Sequence, residues 1–311
     1  MSIRRLSLTL ILVGIFAAAT AGSARAQYLP QLLPQLHPQL LFQFAPQWVP
    51  PQANQLSTLL DMTPVTRLIA DNYQMALQGD PLAQTRMGQL LESGFGVNRD
   101  LAQALRWYEL SASSNEPFAL YNLGRLLLGG NGIARDTERG VKLLTAAAEL
   151  NVAVAQLQLA SLLELGQGVP ASQEMAVFWL RRAAELGDVA AQTRLADKLA
   201  RGQGVAANME EAARWYEKAA EAGDRESQAN LGALLASGAN GIPRDPLRAG
   251  HWLALAASQG HVGAMHRLGR IFETGDGLPR DLKNAGYWYG LAAAAGDAGA
   301  RSALERLAAG K

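Results

Sequence analysis

Cysteine is absent from this chain. Disulfides and thiolate metal sites are therefore excluded, and the fold has to be held by core burial. Strong charge of either sign is also missing, with 28 basic and 27 acidic side chains. Histidine is scarce: the four are His37, His251, His261 and His266. After the first 26 residues there is no second long apolar run, so the sequence predicts no membrane span beyond the N-terminus.

Residues 1–26 read as a secretory signal peptide. Arg4 and Arg5 open it, Leu6 to Ala19 is apolar, and Ala24-Arg25-Ala26 is a small-x-small cleavage signal before Gln27. A membrane anchor is the competing reading, but the apolar run is shorter than the ~20 residues a span requires. Arg4-Arg5 fits either ordinary positive charge or the twin-arginine route. The segment carries Arg4, Arg5 and Arg25 and no acid, so cleavage leaves 25 basic against 27 acidic residues, a formal charge of −2. That balance gives no basic footprint for nucleic acid. The expected location is outside the cytoplasm, periplasmic first and secreted second.

Residues 27–57 form a Pro/Gln-rich tail with a rhythm near four residues, PQLL, PQLH, PQLL, FQFA, PQWV. Proline at this density opposes both helix and central strand, which predicts an extended, flexible segment. Leu32, Leu36, Leu40, Phe44 and Trp48 recur along it. Two readings stand: a low-complexity linker, or a tail that docks on a partner or on the chain's own groove.

Between Gly79 and Gly296 one motif recurs six times, in steps of 36 residues and a single 37. The boundaries are 80–115, 116–151, 152–187, 188–223, 224–260 and 261–296. Residues 58–79 are expected to form an N-terminal capping helix and 297–311 a C-terminal one. A period of this size signifies stacked helix pairs. The first helix of each unit stops at Gly94, Gly130, Gly166, Gly202, Gly238 or Gly275, where a left-handed residue ends a helix at low cost. Asp100, Asp136, Ser172, Asn208, Asp245 and Asp281 then stand as N-caps of the second helices. Asp100 with Gln103, and Asn208 with Glu211, have capping-box spacing. The second helices carry Ala104, Gly140, Ala176, Ala212, Ala249 and Ala285, and three residues on Trp107, Leu143, Trp179, Trp215, Trp252 and Trp288. Large against small on one helical face is what close stacking requires. The tryptophans are expected in the core. The single 37-residue step places one extra residue in the Ala239-Asn240-Gly241 turn, which leaves both helix registers intact.

These residues resemble Sel1-like repeats, relatives of the tetratricopeptide repeat with a longer unit. The resemblance rests on Asn122-Leu123-Gly124, on Gly94-Phe95-Gly96-Val97, and on Ala212 with Trp215-Tyr216 and Ala219-Ala220. It implies an all-α fold, a right-handed α-solenoid of about six helix-turn-helix repeats behind a flexible N-terminal tail. The second copy departs most, with Gly140 for Ala and Leu143 for Trp, and looser packing is expected there. The resemblance also implies a protein-binding scaffold; exported bacterial members often regulate envelope signalling, polysaccharide export or host contact. A cysteine-rich branch is linked to β-lactams, and its cysteine pairs are missing here.

No motif carries chemistry. The GxG turns follow helices and lack the partners of a phosphate loop. His261 and His266 are five apart, off a common helix face. Asp276 and Asp281 lack the ligand count of a calcium loop. No nucleophile elbow occurs. The expectation is no catalytic residue, no cofactor and no metal.

By analogy with tetratricopeptide-like stacks, two columns of first-helix side chains are expected to line a concave groove. One is Thr85, Tyr121, Leu157, Thr193, Ala229 and His266; the other is Gln89, Arg125, Ser161, Asp197, Ala233 and Arg270. The leading reading is a non-catalytic scaffold or adaptor of the bacterial cell envelope that binds a protein or peptide in that groove. The alternatives are a cell-wall-directed enzyme or small-ligand binder, and a groove occupied by the chain's own tail.

Overall fold

Every second helix begins at a side chain that caps its first turn. Asp100 Oδ1 accepts from Gln103 N at 2.9 Å, Asp136 from Arg139 N at 3.0 Å, and Ser172 Oγ from Met175 N at 3.2 Å. Asn208, Asp245 and Asp281 repeat the bond to Glu211, Arg248 and Asn284. Each satisfies one of the N–H groups that the start of a helix leaves without a partner. First helices start likewise, at Asp80, Glu116, Asp188, Asp224 and His261, whereas Val152 has no such bond.

The computed structural model describes residues 64–130, 132–238 and 241–310. Fourteen helices lie in them: α1 Pro64–Leu77, α2 Pro81–Ser93, α3 Leu101–Ser113, α4 Pro117–Gly129, α5 Thr137–Glu149, α6 Ala153–Leu165 and α7 Gln173–Glu185, then α8 Val189–Arg201, α9 Met209–Glu221, α10 Arg225–Ser237, α11 Pro246–Ser258, α12 Val262–Thr274, α13 Leu282–Ala294 and α14 Ala298–Ala308. No strand occurs among the described residues. The expected signal peptide (1–26), the Pro/Gln-rich tail (27–57), the first residues of the N-terminal capping helix, and Ala239 and Asn240 lie outside them. The chain divides into two compact units between Leu143 and Leu144, inside α5.

All six first helices of the repeats end at a glycine with φ between 65° and 76°. From there the chain turns through a short loop, and the N–H of the second-helix cap returns to the first helix. Asp100 N donates to Leu91 O, Asp136 to Leu127, Ser172 to Leu163, Asn208 to Leu199 and Asp281 to Phe272. Asp245 N makes the same bond to Leu235 across the loop that holds the extra residue. This bond explains why neither expected capping box forms. The cap N–H is already engaged, so the Gln103 amide turns to the Asp100 carboxylate and Glu211 to Arg181 and Trp215.

Within each unit of the chain, the deepest seam is the column beside the tryptophans. Tyr108 in the first unit, and Leu144, Leu180, Leu253 and Tyr289 in the second, are fully buried. Trp179 and Trp215 are buried, but Trp107, Trp252 and Trp288 are only half-buried. The tryptophan column therefore forms the outer wall of the core rather than its centre. Arg182 and Lys218 lie over two of its rings, at 5.2 Å from Trp179 and 4.1 Å from Trp215. Small residues on the first helices make room for the tyrosines: a Cβ on Gly88 would stand 2.5 Å from the Tyr108 ring, and one on Gly269 2.5 Å from Tyr289. Gly140 does not loosen the second copy. It is buried, and a Cβ there would meet Leu128 Cγ at 2.9 Å and Gly124 O at 3.0 Å. Leu128 packs over Gly140 and leaves no room for an alanine methyl.

Two glycines in helix interiors should therefore respond in opposite directions to the same change. Gly88→Ala forces the Tyr108 ring aside and should destabilise by about 1–3 kcal/mol. Gly290→Ala meets nothing within 4 Å and should stabilise by about 0.5–1 kcal/mol. Urea midpoints of the two variants against wild type check both signs.

Candidate partner-binding face

The two predicted columns sit one turn apart on the first helices and meet different surroundings. Thr85 is 1% exposed. Its hydroxyl lies 2.8 Å from Ser111 Oγ and donates to Glu116 Oε2 at 2.7 Å. Thr193 repeats the pattern in the second unit, donating to Asp224 Oδ1 at 3.1 Å and lying 2.8 Å from Ser227 Oγ. His266 Nδ1 stands 2.9 Å from Asp297 Oδ1, with its ring edge-on to Tyr289. Glu116, Asp224 and Asp297 each cap the next first helix. The first column thus ties a first helix to the cap of its successor, 31 residues along the chain. Ala229 is buried at the same position, and Tyr121 and Leu157 are half-buried.

The second column keeps contact with solvent. Gln89, Arg125, Ser161, Asp197 and Ala233 are half-buried and Arg270 is exposed. Their partners come from residues that helix periodicity did not single out. In the first unit Arg125 pairs with Glu92 at 2.5 Å, while Glu92 also accepts the Tyr108 hydroxyl at 3.0 Å. Burial alone would lower the Arg125 pKa, but the Glu92 bond and charge outweigh it and raise it. Burial, then Glu92, holds the Tyr108 hydroxyl protonated far above the ordinary tyrosine range. In the second unit Arg194 bridges Ser161 Oγ at 2.8 Å and Glu164 at 2.5 Å, and Lys198 adds to Glu164 at 3.0 Å. Asp197 accepts the Tyr216 hydroxyl at 2.5 Å. Glu92, Glu164 and Glu273 share one register position, four residues before the N-terminal end of each turn loop's second glycine. The signal in the sequence was an acid recurring at this position, visible only when the repeats are overlaid.

A cavity of about 530 Å³ opens among α12, α13 and α14. His266, Arg270 and Glu273 line it from α12, Tyr289 from α13, and Gly299, Ala303 and Arg306 from α14. Arg306 continues the second column beyond Arg270 onto the C-terminal capping helix. Burial raises the Glu273 pKa, but bonds from the Tyr289 hydroxyl and Arg306 outweigh it, so the carboxyl stays below its ordinary range.

Among the described residues no cluster of His, Asp and Glu is arranged to hold a metal, and no helix is long and apolar enough to cross a membrane. The structure is a ladder of capped helix pairs with a varied polar face, which defines a helical-repeat protein. The particular repeat is Sel1. The Sel1 repeat model matches residues 81–116, 117–152, 153–188, 189–224, 225–261 and 262–297, and the chain belongs to this family. The matched units start one residue after those read from the glycine and asparagine positions. Sel1 repeat proteins are generally protein-interaction scaffolds.

The solved structures that resemble the chain include these two. A protective antigen of uropathogenic Escherichia coli with the SLR fold is 28% identical, with a TM-score of 0.71 over 77% of this chain and 51% of its own. A Sel1 repeat protein from Oxalobacter formigenes is 33% identical, with a TM-score of 0.60 over 76% of this chain and 68% of its own. The chain spans about half the length of the first. Among curated proteins none matches it.

Placement predicts how the two columns respond to truncation. Thr85→Val leaves Ser111 and Glu116 short of a buried partner and should cost about 1–3 kcal/mol, whereas Gln89→Ala should stay within about 0.5 kcal/mol of wild type. Chemical denaturation of both variants tests the contrast.

Acid should weaken the fold. Backbone N–H bonds, with Asn284 and Lys283 beside it, hold Asp281 below the ordinary aspartate pKa, and Ala300 N does the same for Asp297. A carboxyl depressed in the native state is charged there after the unfolded chain has taken up its proton. Its contribution is present above the unfolded value, ~4, and is lost as pH falls through the folded one. Urea midpoints should therefore fall between pH 5 and pH 3 on the order of those pKa values, and Asp281→Asn, which keeps a capping oxygen, should flatten the fall.

Proposed function

We propose that this protein is a non-catalytic scaffold of the bacterial cell envelope, and that it binds an extended peptide or protein segment along the second column of its first helices. One observation carries the reading. Most positions that repeat are buried or engaged in caps, and one column of the first helices, Gln89, Arg125, Ser161, Asp197, Ala233 and Arg270, varies while reaching solvent. Variation at a surface held by an unvarying frame is how a repeat protein specifies a partner. The mixture of guanidinium, amide, hydroxyl and carboxylate suits a polar, extended chain better than an apolar helix. The location rests on the N-terminal sequence: a basic start, an apolar run and Ala24-Arg25-Ala26.

Photo-crosslinking residues placed at Gln89 and Ser161 should trap the same partner in envelope fractions, while the same residues at exposed Arg106 and Arg214 on the second helices should not. Equal trapping at all four sites, or none at Gln89 and Ser161, overturns the reading. Fractionation with N-terminal sequencing tests the location: the exported form should begin at Gln27, and an intact chain found only in the cytoplasm would reject it.

A further inference from the structure

Three arginines stand in the second column, and two are answered from within. Arg125 meets Glu92 and Arg306 meets Glu273, in each case 33 residues back on the preceding first helix. The repeat register puts Ala236 at the position that would answer Arg270, once the extra residue of the fifth repeat is counted. Glu273 is no substitute. Arg306 occupies both its oxygens, at 2.7 and 2.8 Å, and the Tyr289 hydroxyl donates to Oε2 at 2.7 Å. The Arg270 guanidinium is exposed and, among the described residues, has no hydrogen-bond or ion-pair partner.

The same arginine lines the 530 Å³ cavity. That cavity exists because α14 is small where earlier first helices are large. Ala303 stands where Arg86, Asn122, Gln158, Arg194, Asn230 and Arg267 stand in the repeats, whereas Gly299 stands where Leu82, Phe118, Val154 and Glu226 do but is matched by the small Ala190 and Gly263. Gly299 cannot be enlarged without moving its neighbour, since a Cβ there would lie 2.6 Å from His266 Cε1. The wall carries two guanidinium groups against one carboxylate, and that carboxylate is fully engaged. A guanidinium fork is matched in shape and charge by a carboxylate, bound through two parallel N–H···O bonds.

We propose that this cavity is a carboxylate-binding pocket in which Arg270, assisted by the outer edge of Arg306, receives an acidic group of the bound peptide. The carboxylate takes the place of the glutamate that the fifth repeat lacks. This rests on the scaffold reading for the identity of the ligand as a peptide, but the chemistry of the pocket stands by itself.

The test uses three small probes on the full exported chain: N-acetyl-glutamate amide, with a side-chain carboxylate alone; N-acetyl-alanine, with a main-chain carboxylate alone; and neutral N-acetyl-alanine amide. Arginine side-chain NMR signals of Arg270 and Arg306 should shift saturably in the millimolar range with one or both acids and not with the neutral amide. The acid that binds identifies the source of the carboxylate. Ala236→Glu supplies the missing internal partner and should weaken binding about tenfold, as should Arg270→Gln, the loss of one charge-assisted pair. Ala303→Arg, which places there the arginine of the first, fourth and sixth repeats, should fill the pocket from the other side and serves where either variant folds poorly. No saturable shift with either acid, an equal shift with the neutral amide, or unchanged affinity in folded Ala236→Glu overturns the pocket. If acids bind but no partner crosslinks at Gln89 and Ser161, the scaffold reading fails and the pocket stands. Retained crosslinks with no acid binding give the reverse.

Discussion

The N–H of each second-helix cap donates to a carbonyl near the end of the first helix, and the rest of each repeat is arranged around that bond. It closes the loop over a left-handed glycine and leaves the cap side chain free to bond the next turn. By fixing where the second helix starts, it also decides which residues face each other across the pair. The contact of Tyr108 with Gly88, and that of Tyr289 with Gly269, follow from it. In the fifth repeat the bond from Asp245 to Leu235 spans one more residue and keeps its length of 2.9 Å. The loop absorbs the insertion and the helices do not.

A frame fixed by backbone bonds leaves side chains free to differ where they touch solvent. The second column uses that freedom along each unit of the chain, with Arg125 and Gln89 in the first and Ser161, Asp197 and Arg270 in the second. The tyrosine hydroxyls at its base, bonded to Glu92, Asp197 and Glu273, hold these carboxylates in place. Preorganised polar groups of this kind lower the ordering cost of binding an extended segment.

Much of this was legible in the sequence because it is local. A helix stop needs a left-handed residue, and only Gly and Asn take that conformation readily; Asn115 and Asn151 do so at φ 56° and 63°. The six caps were legible for the same reason. The two columns were not separable by periodicity, because residues four apart share a face. What divides them is the next repeat, whose cap carboxylate covers the first turn of the helix and encloses Thr85 while Gln89, one turn on, stays open. Pairs 31 and 33 residues apart follow no single-helix rule. The tryptophans pack in or against the core as their constancy implied, and the indole also serves as a lid whose face receives Arg182 or Lys218.

Buried glutamines join several repeats to their predecessors. Gln84, Gln156, Gln192 and Gln228 each donate an amide N–H to the carbonyl of an alanine ending the previous helix, at 2.8–3.1 Å. At the same position Leu120 and Met265 have no amide to give. A stack whose members touch only neighbours opens in segments, at the junctions where the coupling is weakest. The Met265 junction lies just ahead of α12–α14, so the segment that carries Arg270 and Arg306 lacks that amide bond and is joined to the helices before it by side-chain packing and the pairs His261–Glu226 and Arg244–Asp276. With one buried amide bond fewer at its junction, that terminal segment should open more readily than the helices before it, and its amide protons should report a lower opening free energy than those of α8 and α9.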